Sequence, residues 1–148
     1  RFRQALLRAA ARGVKVTLLL QGRVEYLLLH YATRGLYGAL LDGGIRIHEY
    51  HRSFLHAKVA VIDDWSTVGS SNIDPFSLLL AREANVMIDD AGFAQALRTR
   101  IDAAVETGGV PVVLQRHARR SLPVRLMNSA AFLLLRIGVA ISGAGAGY

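Results

Sequence analysis

The sequence predicts an α/β domain, and three observations carry that prediction. Helix-like and strand-like periodicities alternate between residues 2 and 106. Val14 to Leu20 is a short, uninterrupted run of leucine and β-branched residues, the composition of a strand covered on both faces. Ile45 to Tyr50 instead alternates apolar with polar residues, as a half-covered strand does. At 148 residues and 52 % hydrophobic content the chain has the size of one domain and the material for a core, which excludes disordered and fibrous classes.

Taken in order, residues 2 to 12 place Phe2, Leu6, Ala9 and Ala10 on one helical face, with Gly13 as the stop. The segment has neither an initiator methionine nor an apolar signal-peptide core, so it reads as part of a longer protein whose preceding strand has been cut away. Gln21, Gly22 and Arg23 form the loop after the first strand. Loops at strand carboxyl ends border ligand clefts in open α/β sheets, so Arg23 is either a phosphate contact or a solvated loop residue. Glu25 to Leu41 is helical in pattern and closes at Asp42, Gly43 and Gly44, ahead of the alternating strand. His51, Arg52 and Ser53 form a polar rim leading into the next one. Asp74 as N-cap and Pro75 at the first helical position predict a turn into a short helix through Ala81. Ala84 to Ile88 supplies another strand, and Asp89 or Asp90 caps a helix through Glu106. Gly108 and Gly109 end this pattern, dividing a half-domain, 1–109, from a tail, 110–148.

The chemistry concentrates between His56 and Glu83. His56 and Lys58 are two apart ahead of the alternating run Val59 to Ile62, and an extended strand projects both from one face. An imidazole can attack phosphorus or protonate a leaving oxygen near neutral pH, and an ammonium beside it neutralises charge on the non-bridging oxygens. Gly69, Ser70, Ser71 and Asn72 then form a turn whose hydroxyl, amide and backbone N–H groups suit the same oxygens. Glu83 supplies a carboxylate able to fix a histidine's tautomer. Asp63 lies an odd number of positions from His56 and Lys58, so strand geometry points it away and makes it structural. His48, His51 and His56 lack a supporting carboxylate pattern, so no metal site and no cofactor are expected.

The set H-x-K-x4-D, G-S-x-N and a later glutamate resembles the signature of the phospholipase D superfamily, known as the HKD motif. The wider text, LHAKVAVID with TVGSSNIDPFSLLLAREANV, is similar to bacterial cardiolipin synthases, and with RGVKVTLLLQGRVEY and GGIRIHEYHRSFLHAKV the resemblance covers residues 1 to 105. It implies an α/β/α sandwich half-domain with a central mixed sheet, corresponding to the carboxyl-terminal half of a two-motif enzyme. It further implies phosphatidyl transfer between two phosphatidylglycerol molecules through a phosphohistidine, without metal. His56, Lys58 and Glu83 would then be catalytic, with His56 the acid/base opposite a nucleophile on the absent motif. Lys58, Ser70 and Asn72 would bind phosphate, and Asp63 would be structural. One departure is visible: the family has six residues between the aspartate and the glycine, and here five intervene, Asp64 to Val68. A deletion inside a strand would flip side chains across the sheet, whereas one in the turn near Asp64 and Trp65 keeps both registers.

The absence of cysteine excludes disulfides, cysteine nucleophiles and thiolate metal sites, and fits a reducing compartment. Net charge is +7, and no acidic residue follows Glu106, while Arg116, Arg119, Arg120, Arg125 and Arg136 do. That asymmetry predicts an anionic partner, a lipid surface or a nucleic acid. Leu126 to Ile141 is strongly apolar but shorter than the ~20 residues that span a bilayer, and Arg136 inside it would cost roughly 2.5–3.5 kcal/mol to insert. The tail therefore reads as an amphipathic interfacial helix, or as a helix docked on protein. Splitting a phosphodiester covalently takes a nucleophile and a general acid, and the sequence holds a single H-x-K. The expected partners are thus anionic phospholipid, a membrane surface at the cytoplasmic face of the bacterial inner membrane, and a second motif-bearing half, in the same chain or a homodimer mate. A homodimeric nuclease and an inactive lipid-binding half-domain are the competing readings. Interleaved aromatic and basic residues expected of a strand-stacking surface are missing, which disfavours nucleic acid.

Overall fold

A computed structural model describes residues 2–71, 83–114 and 121–144. The opening helix, α1 (Phe2–Ala11), ends at Gly13, whose φ of +91° lies in the left-handed region that glycine enters without a Cβ clash. The Gly13 and Val14 N–H groups donate to Ala10 and Ala9 carbonyls, pairing the last turn. Leu6, Leu7 and Ala10 of α1 pack against the buried cluster of Tyr37, Leu40, Ile45 and Ile47.

Strand β1 (Thr17–Gln21) begins later than the apolar run that predicts it, because exposed Val14 belongs to the connection. It pairs in parallel with β2 (Arg46–Tyr50), Leu19 opposite His48. Parallel neighbours need a crossover, supplied by helices α2 (Leu27–Arg34) and α3 (Tyr37–Asp42). The sequence predicts one helix here. Two form because hydrogen bonding tightens at the junction, Gly35 N–H to Ala32 O and Leu36 N–H to Thr33 O. Gly35 also lets the C-terminal helix approach: a Cβ there would lie 3.0 Å from Asn128 O.

Three further strands form an antiparallel meander in the order β3 (Val59–Ile62), β4 (Trp65–Gly69), β5 (Asn85–Asp89). Asp63 and Asp64 are the hairpin turn, and pairing runs unbroken from Ile62 opposite Trp65 to Val59 opposite Val68. Asp63 has φ +52°, which aspartate tolerates better than most residues, and its carbonyl accepts from Arg98 Nη2 at 2.9 Å. Pairing is thus continuous on both sides of the two-residue turn.

Helix α4 (Ala91–Gly108) is capped by Asp90, whose Oδ1 accepts the Phe93 N–H at 2.7 Å. It lies against both sheets and buries Ala94. Strand pairing continues past the glycines as β6 (Gly109–Pro111), antiparallel to β2, and the Val112 N–H donates to Ile47 O. The sheet therefore takes Val110 and Pro111 from the segment read as tail. The glycines serve close packing: a Cβ on Gly108 would meet the Tyr50 ring at 2.4 Å.

The α/β class is as expected, with a division in the strands: β1-β2-β6 is the mixed sheet and β3-β4-β5 a separate antiparallel one. The segment that links the two sheets is held by side chains at the end of β1. Arg23 Nε and Nη2 donate to the carbonyls of His51 and Arg52 at 2.8 Å each, and the Leu55 N–H donates to Gln21 Oε1 at 3.1 Å. The last helix, α5 (Leu122–Ala144), packs along α2, burying Asn128 and Ala131. Among the described residues no helix is long and apolar enough to cross a membrane.

Candidate active site

The meander's register decides where the motif residues stand. Lys58 precedes β3 by one residue, and its carbonyl accepts the Gly69 N–H at 3.0 Å, one step beyond Val59 opposite Val68. On the other side Gly69 faces Asn85, and the Ser70 N–H donates to Ala84 O at 3.0 Å. Continuing the same count beyond the paired residues, two positions past Lys58 and one past Ser70 and Ala84, would align His56, Ser71 and Glu83. Directly opposed residues share a face and alternate rungs repeat it, so this parity groups His56, Lys58, Ser71, Glu83 and Asn85, and puts Ser70 on the other face. Lys58, Gly69 and Asn85, remote in sequence, thus line up across the end of this sheet.

The details refine the sequence reading. His56 is exposed in the extended approach to β3, three residues before the strand proper, and Lys58 and Glu83 are half-buried. Among the described residues no hydrogen bond or ion pair joins His56, Lys58 and Glu83. Ser70 Oγ accepts the Ala84 N–H at 3.1 Å, so its hydroxyl takes a backbone role in the ladder. Asp63 is the turn residue described above. Asn72 and the short helix expected through Ala81 lie outside the described residues.

Two participants escaped the sequence reading. Asn85 donates from Nδ2 to Ser71 Oγ at 2.5 Å and accepts the Ser71 N–H at 3.4 Å. An asparagine opening a strand, where its β propensity is poor, was the available signal. Gln21, at the end of β1, holds the backbone of Leu55 next to His56. Arg23 proves to be a clasp on two carbonyls with Phe54 under its guanidinium, 5.9 Å from the ring centre.

On the mixed sheet, Arg34 donates twice to Glu49, at 2.8 Å to each oxygen, and His51 Nε2 lies 3.5 Å from Glu49 Oε2. Burial alone would raise the Glu49 carboxyl. The bonds and charge of Arg34, aided by Tyr37 and His51, outweigh it and hold the group below the usual carboxylate range. Burial likewise opposes the Arg34 charge, and Glu49 more than restores it.

An imidazole and an ammonium ahead of one strand, a glycine–serine turn after the next and a carboxylate before the third define a phospholipase D-like half-domain. The family model described as cardiolipin synthase, PLD-like domain, matches residues 1–105, and the chain belongs to that family. It is 47 % identical to cardiolipin synthase B of Escherichia coli over 106 residues, 71 % of this chain and 26 % of that protein. It is 32 % identical to cardiolipin synthase 2 of Bacillus anthracis over 131 residues, covering 88 % and 25 %. Against minor cardiolipin synthase ClsB of Bacillus subtilis the identity is 36 % over 100 residues, covering 67 % and 25 %. The chain therefore spans about a quarter of the length of these curated relatives. No solved structure matches.

Proposed function

We propose that this chain contributes one of the two motif copies of a phosphatidyltransferase that makes cardiolipin and glycerol from two phosphatidylglycerol molecules. A histidine of the other copy attacks the phosphorus of the first lipid, and its P–N bond replaces the P–O bond to glycerol. His56 gives the leaving glycerol oxygen its proton. It then takes a proton from the hydroxyl of the second phosphatidylglycerol, whose oxygen displaces the histidine and forms cardiolipin. Lys58 and Asn72 neutralise and orient the phosphoryl oxygens, Ser70 braces the turn, and Glu83 orients a catalytic imidazole. The observation that supports this reading is the pairing of β3, β4 and β5, which sets Lys58, Gly69 and Asn85 side by side at the end of the sheet where His56 and Glu83 enter it.

A second body is part of the proposal. Parity places Ile62, Trp65 and Met87 on one face of the meander and Val68 and Val86 on the other, and all five are exposed. Apolar surface on both faces suits a sheet that another half covers. The enzyme is proposed to be peripheral, at the cytoplasmic face of the membrane, with the exposed side of α5 meeting anionic lipid. In the complete enzyme, His56→Ala is expected to abolish cardiolipin in lipid extracts read by mass spectrometry after incubation with phosphatidylglycerol. Near-normal product in that variant, or plasmid nicking by the unaltered enzyme, sinks the assignment.

A further inference from the structure

The glycine–serine turn is held from β5, and we infer that Asn85 is a positioning residue for the phosphoryl site, an inference that rests on the function proposed above. Its amide reaches Ser71 through both of its polar atoms, Nδ2 to Oγ and Oδ1 to the backbone N–H. To do so it lies over Gly69, its partner on the same rung. A Cβ at residue 69 would stand 2.0 Å from Asn85 Oδ1 and 2.5 Å from Ala84 O. The motif glycine is therefore required by the side chain lying on it as well as by the turn. Asn85 pairs with Gly69, whose N–H donates to the Lys58 carbonyl, so the side chain that fixes the Ser71 backbone comes from the rung that carries Lys58. Ser70 is held independently by the Ala84 backbone. Asn85 thus fixes the Ser71 end of the glycine–serine turn, without itself being placed on the reacting atoms.

The test uses the complete enzyme with Asn85→Ala, Asn85→Asp and Ser71→Ala. In Asn85→Ala, hydrogen exchange at the Ser71 amide is expected to quicken at least tenfold while the amides of Thr67 and Val68 keep their protection. With phosphatidylglycerol, kcat should fall at least tenfold with KM changed less than threefold. Asn85→Asp keeps the acceptor for the Ser71 N–H, and the Ser71 hydroxyl rotates to donate to the second oxygen, so it should retain slow exchange and recover most of kcat. In the double variant with Ser71→Ala the losses should be less than additive. Unchanged Ser71 exchange in Asn85→Ala overturns the inference whatever the activity, as does faster exchange with undiminished kcat. An unaltered enzyme that makes no cardiolipin defeats the proposed function instead. Tungstate affinity then replaces kcat as the readout: a tenfold loss in Asn85→Ala supports the inference and no change overturns it.

Discussion

Replacing Glu49 by glutamine leaves the Arg34 guanidinium in place without its counter-charge. Their side chains are only 9 % and 18 % exposed, so the loss should approach the lower end of the range for a broken buried pair, about 3 kcal/mol by urea denaturation near neutral pH. The pH dependence has a definite sign. The folded-state carboxyl titrates below its unfolded value, so the stabilisation is fully present above the unfolded value, about 4.3, and is lost as pH falls through the folded one. Between neutrality and pH 3 the unaltered protein should thus lose more stability than Glu49→Gln does; equal losses would show that the pair contributes nothing. At this scale the sequence was informative about kinds of residue and silent about distant partners. His56, Lys58, Ser70 and Glu83 stand out in the sequence because the chemistry of a phosphate ester asks for those groups, and their roles are proposals. Glu49 was read as a polar position on an alternating strand, and its burial depends on Arg34, fifteen residues away on another element. Asn85 finds Ser71 only because a strand register brings them together, which no local spacing encodes.

Among elements, α5 offers the sharpest test. Leu122, Leu126, Leu133, Ile137 and Ile141 are exposed at spacings close to the helical repeat, while Asn128 and Ala131 face inward toward α2. Changing Leu133, Ile137 and Ile141 together to glutamine should therefore weaken sedimentation with phosphatidylglycerol vesicles at least tenfold and leave the unfolding midpoint nearly unchanged. Binding that persists would assign the lipid contact to another surface. Most elements could be read in advance from period and caps: α1 with its glycine stop, β2 by alternation, α4 from Asp90. The break between α2 and α3 could not, because the apolar pattern runs through it while the hydrogen bonds tighten at Gly35 and Leu36. Nor could β6, whose three residues gain their strand geometry from pairing with β2 and carry too little pattern of their own.

For the molecule as a whole, the proposal of two motif copies makes a kinetic prediction. Residues 1–148 alone should make no cardiolipin from phosphatidylglycerol, and activity should return on adding the half that carries the other copy. Activity from this chain alone, rising with the square of its concentration, would instead identify a homodimer. The α/β class and the motif's location were visible in the sequence, whereas the split into two sheets was not, since which strands pair is decided between residues far apart in the chain. The hairpin tip carries a practical corollary. Chain length at Asp63 and Asp64 is decoupled from the reactive end of the sheet, so a short reporter peptide or crosslinkable tag spliced there should leave the chemistry intact. One residue added between Trp65 and Gly69 would instead reverse the outlook of everything downstream.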